Sequence, residues 1–191
     1  MRRYTLEGLK AYYDMNSYIG KDDFIYFWKP EEKGDEVTKA CLCQWYPCKF
    51  TVDGEEYNCA EQFMMAEKAR IFGDKEMRDK ILHSDDPSEI KHYGKKVKNF
   101  VEAVWTELSS DIVVRGNVAK FCQNPKLLCF LLLTGNKILA EASQYDTIWG
   151  IGMDEATALP LYPHVWKGQN KLGFALMEVR DIIRNKLRTD E

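Results

Sequence analysis

The sequence holds little that would anchor it in a membrane or bind it broadly to nucleic acid. Its longest apolar run, Leu127 to Leu133, falls far short of the roughly 20 residues a transmembrane helix needs. The N-terminal MRRYTLEGLKAYY lacks the apolar core of an export signal. Together these absences predict a soluble, cytoplasmic protein with no membrane partner. An excess of positive charge is missing too: 27 Lys and Arg against 30 Asp and Glu give a net charge of −3, so no global basic field gathers polyanions by counterion release. A basic patch on one face remains compatible with that balance. Histidine is scarce, and none of His83, His92 and His164 falls at a catalytic or metal-ligand spacing. The six Cys, without an export signal, read as reduced thiols rather than a disulfide framework. Cys41, Cys43 and Cys48 cluster, but their C-x-C-x4-C pattern has no second ligand pair downstream, so neither a metal nor another cofactor is expected. Internal repeats, low-complexity tracts and linkers are also absent. The chain therefore reads as one domain over 24–188 behind an N-terminal helical extension over 1–23.

What is present is aromatic and helical. Phe, Trp and Tyr make up 13% of the chain, a content that suits a site stacking a flat ligand and suits a core equally well. The stretch YNCAEQFMMAEKARIFGD, residues 57–74, predicts a helix of about three turns, with Asn58 as N-cap and Gly73 just past the end. Its 3.6-residue period lines up Glu61, Met64, Met65 and Lys68, putting a carboxylate and an amine on one stripe with two thioethers. Solvated or salt-bridged charges at the stripe's edge would explain the same letters.

Before that helix, 5–18 predicts a peripheral helix. Phe24–Trp28 predicts a buried strand that pairs back in antiparallel fashion through the charged turn at 31–36. Asp53-Gly54 between apolar flanks predicts a hairpin. Beyond it come two short amphipathic helices over 75–83 and 85–97, then a long helix over 99–121 that Gly116-Asn117 could bend, with Trp105 a core residue by default. Pro125 opens a buried apolar helix and 137–143 forms a short strand. The loop QYDTIWGIG then crowds Asp146, Trp149, Gly150 and Gly152 together, offering an acceptor, a stacking face and a backbone that a ligand can approach closely. A turn with a structural Asp and a packed Trp accounts for that loop as well. After Pro160 and Pro163, 168–187 predicts the last helix. The fold class expected is α+β, mainly α, with a small antiparallel β element near the N-terminus.

Three blocks in this order, CAEQFMMAEKARIFGD, EASQYDTIWGIG and WKGQNKLGFALMEVR, closely resemble the YbiA-like or NADAR family, linked to NAD and ADP-ribose chemistry. The resemblance runs from about Phe24 to Leu187 and includes the pieces VKNF, VW and KFCQNPKL. It implies a compact, mainly α fold and N-glycosidase activity, either on phosphoribosylamino-pyrimidine intermediates of riboflavin synthesis or on ADP-ribosylated guanine. Residue by residue, it implies catalytic roles for Glu61, Lys68 and Asp146. It also implies substrate contacts from Gln44, Trp45, Gln62, Trp105, Trp149, Gly150, Gly152 and Asn170. Two departures stand out: Cys43-Gln44-Trp45 lacks a Ser common in the family, and Gly94-Lys95 replaces Gly-Arg, a point charge in place of a forked donor.

These residue types suit that chemistry. Breaking an N-glycosidic bond gives the ribosyl carbon oxocarbenium character, which calls for nearby negative charge and a route for a proton to the departing nitrogen. Glu61, in the first helical turn, would stay ionised beside the dipole and stabilise that charge. Asp146, next to Trp149, could act as acid or base. Lys68, if enclosed, would have a lowered pKa and could attack C1 as a Schiff-base nucleophile; its competing role is a permanent cation on phosphate. The partners expected are a nucleotide-like or ADP-ribosylated substrate, an ADP-ribosylated nucleic acid among them. The ADP-ribosylated guanine is the preferred substrate, because several aromatic blocks could stack two bases. A non-catalytic ADP-ribose-binding module and a purely structural protein are the competing readings.

Overall fold

The computed structural model describes residues 4–16, 20–31, 34, 36–158 and 163–189. Residues 32, 33 and 35 of the expected charged turn and Pro160 lie outside these, as do the last residues of the helix expected over 5–18. In chain order the described elements are α1 (Leu6–Met15), β1 (Phe24–Phe27), β2 (Phe50–Val52), β3 (Glu55–Tyr57), α2 (Ala60–Ile71), α3 (Lys75–Leu82), α4 (Pro87–Lys95), α5 (Glu102–Gln123), α6 (Pro125–Leu133), β4 (Ile138–Glu141), α7 (Glu155–Ala158) and α8 (Lys171–Thr189). The fold is mainly α with two small two-stranded sheets. No described helix is long and apolar enough to cross a membrane. All six cysteines are free, and no described group of three or more His, Cys, Asp or Glu could hold a metal ion.

The chain forms two compact units. One is continuous, Gln44–Pro125, and opens with the hairpin. Asp53 and Gly54 both take positive φ, 52° and 84°, the two-residue turn that the sequence signalled, and β2 pairs with β3 in antiparallel register. The hairpin delivers the chain to α2, which packs on α3, α4 and α5. Phe63 of α2, 1% exposed, sits edge-on to Tyr57 at 5.1 Å and near Phe50 at 6.3 Å. Gly116 lets α5 close on that ring, since a Cβ there would lie 2.4 Å from Phe63 Cδ1. The expected bend at Gly116-Asn117 is therefore corrected: α5 runs unbroken over 22 residues, and the glycine serves close packing. Glu67, 4% exposed, ties the same helices together by accepting from Arg70 (2.8 and 3.0 Å) and Arg115 (3.3 Å).

The other unit is discontinuous, Met1–Cys43 with Lys126–Glu191. Here the expected antiparallel return of the first strand is corrected. β1 pairs with β4 in parallel, Phe24 opposite Ile138 through Phe27 opposite Glu141, because the apolar partner that buries Phe27 and Leu139 lies over a hundred residues away. α8 lies against β4, and Gly173 permits it: a Cβ there would meet Leu139 O at 2.0 Å. α6 is less enclosed than its apolar letters predict, with Leu127 and Leu131 buried but Leu133 79% exposed.

Candidate active site

The first turn of α2 sets the geometry of the continuous unit. Its N-cap is Cys59, one residue later than the expected Asn58; Cys59 Sγ accepts from Gln62 N at 3.4 Å, and Gln62 Oε1 accepts from Asn58 N at 2.7 Å. Glu61 follows, half-buried, its N–H donating to Gln44 O at 3.0 Å. Two turns on, Lys68 leans from the same stripe into a half-cage. Its Nζ donates to Gly94 O at 2.8 Å and lies 4.3 Å from the centroid of the Phe100 ring and 5.8 Å from that of Trp105.

Gly94 supplies that carbonyl because it has no side chain: a Cβ would fall 2.2 Å from Met65 Sδ. Burial pulls the Lys68 pKa down, and the negative charge of Glu61 partly restores it. The two charges of the sequence stripe are thus coupled to one another, and Trp105, half-buried, belongs with them rather than with the core. Two parts of this cage, Phe100 and the Gly94 carbonyl, were not among the candidate site residues, although VKNF and Gly94-Lys95 both stood out in the sequence. Phe100, two residues before α5, is 42% exposed and held edge-on to Phe72 at 5.2 Å.

Gln44 is also here, 7% exposed. Its Oε1 accepts from Asn117 Nδ2 at 2.8 Å, and Asn117 Nδ2 also donates to Val113 O at 2.9 Å. Gln44 Nε2 has no protein partner. A buried donor without an acceptor costs about 1–3 kcal/mol, and a ligand oxygen would relieve it. Trp45 is half-buried beside it in the chain. Gln62 is engaged differently, by backbone groups on both sides of its carboxamide. It is 2% exposed, and its Nε2 donates to Ile81 O (3.0 Å) and Ser84 O (3.1 Å), so its carboxamide holds the end of α3 to the start of α2.

The remaining sequence candidates lie in the discontinuous unit, where the glycine loop is bound to the rest of its unit by its own backbone. Asp146 Oδ1 accepts from Ile148 N (2.8 Å) and Trp149 N (2.7 Å), closing a tight turn. The loop carbonyls of Ile148 and Trp149 accept from Lys171 N and Leu172 N, so they cap the first turn of α8. Gly150 and Gly152 are explained by the same packing: a Cβ on Gly150 would lie 2.9 Å from Asp146 O and Glu141 O, and one on Gly152 3.0 Å from Lys167 Cβ. At both glycines the chain approaches itself closely. Trp149 is half-buried on that loop. Asn170, fully buried at φ 53°, donates from Nδ2 to Leu139 O (2.9 Å) and accepts on Oδ1 from Glu141 N (3.0 Å). Both ends of its carboxamide thus bond to β4. The structure thus brings Glu61, Lys68, Trp105 and Gln44 into one unit, and Asp146, Trp149, Gly150, Gly152 and Asn170 into the other.

Comparison with known proteins fits this arrangement of blocks. The NADAR domain matches residues 26–184. "N-glycosidase R617" of Acanthamoeba polyphaga mimivirus is 44% identical over 143 residues, covering 72% of this chain and 84% of its own length. "Riboflavin biosynthesis protein VVA0006" of Vibrio vulnificus is 30% identical over 169 residues, which span 88% of this chain but 41% of that longer protein. The solution structure of the Escherichia coli protein YbiA superposes with a TM-score of 0.70 at 23% identity, covering 88% of this chain and 89% of its own.

Proposed function

The chain belongs to the NADAR domain family, and from that membership we propose that it is an N-glycosidase whose preferred substrate is an ADP-ribosylated guanine. The observation that carries the chemistry is the Glu61–Lys68 stripe: a half-buried amine with a lowered pKa, electrostatically coupled to a carboxylate and flanked by two aromatic rings. The relative named N-glycosidase R617 supports the reaction class.

In the mechanism we propose, the Lys68 amine attacks the ribosyl C1 while the C1–N bond breaks. Glu61 stabilises the positive charge that C1 develops. The proton lost by the attacking nitrogen is the one gained by the departing base nitrogen. The sugar ring opens to an imine on Lys68; water then adds to it, releasing the ribosyl product and restoring the amine. Gln44 Nε2 offers a hydrogen bond to a sugar or phosphate oxygen, and Phe100 and Trp105 offer faces to a base. Asp146 takes the part of organising its loop.

Borohydride added during turnover should trap a ribosyl adduct on Lys68, read by intact mass. An active Lys68→Arg variant with no trapped adduct in the parent protein would overturn the nucleophile and leave a phosphate-binding cation. The similarity to the riboflavin biosynthesis protein makes a phosphoribosylamino-pyrimidine the comparison substrate. The expected result is a higher kcat/KM on the ADP-ribosylated guanine, and the reverse order would overturn the substrate choice alone.

A further inference from the structure

The discontinuous unit holds a cavity of about 490 Å³ between α1, β4 and α8. That volume lies within the range of small-molecule sites. One wall, α1, falls outside the residues matched by the NADAR domain, so this cavity is a feature of this chain's N-terminal segment. Leu9 and Tyr12 of α1 face Phe174 and Met177 of α8 across it, giving it an apolar body.

Its polar end is Arg180, 2% exposed. One edge of that guanidinium is fully used, with Nη1 donating to Thr134 Oγ1 at 2.7 Å and to Lys137 O at 2.9 Å. The other edge is buried without a protein partner: Nε has none, and no bond of Nη2 is made to any described residue. Nε–H and one Nη2–H point the same way and form a planar fork, the shape that takes a carboxylate by two parallel hydrogen bonds. Asp181 beside it is engaged by the Tyr4 hydroxyl. Burial first and then the neighbouring Arg184 push the Arg180 pKa down, and Tyr4 and Asp181 oppose that fall only in part, so a further anion seated on the unpartnered edge would relieve the buried charge.

We propose that this cavity is a binding site for a small aromatic carboxylate, its carboxyl group on the Nε/Nη2 edge of Arg180 and its ring between α1 and α8. The site is separate from the Glu61–Lys68 reading and does not rest on it.

The test is an NMR titration of the full chain with benzoate, and in parallel with benzyl alcohol, its neutral counterpart. Benzoate should shift the amide resonances of 5–12 and 174–181 saturably, with a dissociation constant of about 1 mM or tighter. Benzyl alcohol should not. Arg180→Lys, which swaps the fork for a point charge, should weaken benzoate by about tenfold or more. Should that buried variant fail to fold, Gly8→Phe keeps the question open to measurement. Gly8 is exposed on α1, lines the cavity, and a Cβ there meets only Thr5 Oγ1, at 3.2 Å, so the ring can fill the space without disturbing the core. Loss of benzoate binding in Gly8→Phe supports the site. Unchanged benzoate shifts in Gly8→Phe, equal binding of benzyl alcohol, or no saturable shift in the parent protein would overturn it.

Discussion

Replacing Glu61 by Gln keeps the side chain's shape and removes the charge that the proposed chemistry needs. Losing one preorganised electrostatic contact to a transition state costs about 2.7–4 kcal/mol, or roughly 10²–10³ in kcat. The fold should barely notice, because a carboxylate in a helix's first turn contributes only about 0.3–1 kcal/mol through the macrodipole. The more discriminating consequence concerns Lys68. Burial lowers its pKa and Glu61 opposes that fall, so the variant's lysine should titrate lower still.

If the neutral amine is the nucleophile, the acidic limb of kcat/KM moves to lower pH in Glu61→Gln, even as the plateau drops by about a hundredfold or more. Stability carries the same sign. A lysine whose folded pKa lies below its unfolded one binds fewer protons folded than unfolded between those two values, so stability rises with pH through that window and the full penalty applies below it. In the variant the window should begin at lower pH. Product analysis by mass spectrometry across pH, with urea unfolding of the same samples, reads both. A plateau close to the parent's, or a limb that moves upward, refutes the coupling and the role together.

Lys68→Met should abolish the borohydride-trapped adduct. It deprives Gly94 O of a charged donor worth about 1.5–3 kcal/mol, but removes a buried charge as well, so the net loss of stability in urea should be smaller than that figure. Gly116→Ala drives a methyl into Phe63, an overpacking cost of about 1–3 kcal/mol offset by up to about 1 kcal/mol of helix propensity. Its Tm should fall by roughly 2–4 °C for each net kcal/mol, and an unchanged Tm would mean that the ring moves aside freely. Asn170→Ala removes two hydrogen bonds to β4 and leaves a non-glycine residue at positive φ, for a loss of about 2–4 kcal/mol by urea unfolding. The trapped adduct on Lys68 should survive that change in the folded protein.

The parts of this structure legible in the sequence are those whose causes are local. Asp53-Gly54 demanded a tight turn and Gly73 a helix stop, and both positions have the positive φ their residue types suggest. The stripe of Glu61 and Lys68 followed from helical period alone, and the structure couples the pair. What was not legible depends on partners far away in the chain. Nothing in Phe24–Phe27 says that its neighbour is Ile138–Glu141. Gly116 has the letters of a bend, and only the ring of Phe63 makes it a contact. Gln62 and Asn170 look like ligand contacts because polar residues beside a motif often are. Their carboxamides bond backbone groups, those of Gln62 4 and 19–22 residues away and those of Asn170 29–31 away. Lys68's half-cage needed Gly94 and Phe100 to arrive from α4 and the start of α5, which no spacing within α2 could announce.

The parallel pairing of β1 with β4 also dictates an order of events during synthesis. The first strand leaves the ribosome early and has no partner until the chain has grown past residue 138. In the meantime Gln44–Pro125 is complete, contiguous and rich in short-range contacts, the kind that form fast. Once that segment has condensed, the chain between the two strands is no longer one long slack loop. The entropy of closing such a loop, which grows by about 0.6 kcal/mol with each doubling of its length, is thereby reduced before the ladder forms. Until then Phe24–Phe27 is a nascent apolar strand with both edges bare, open to pairing with another chain.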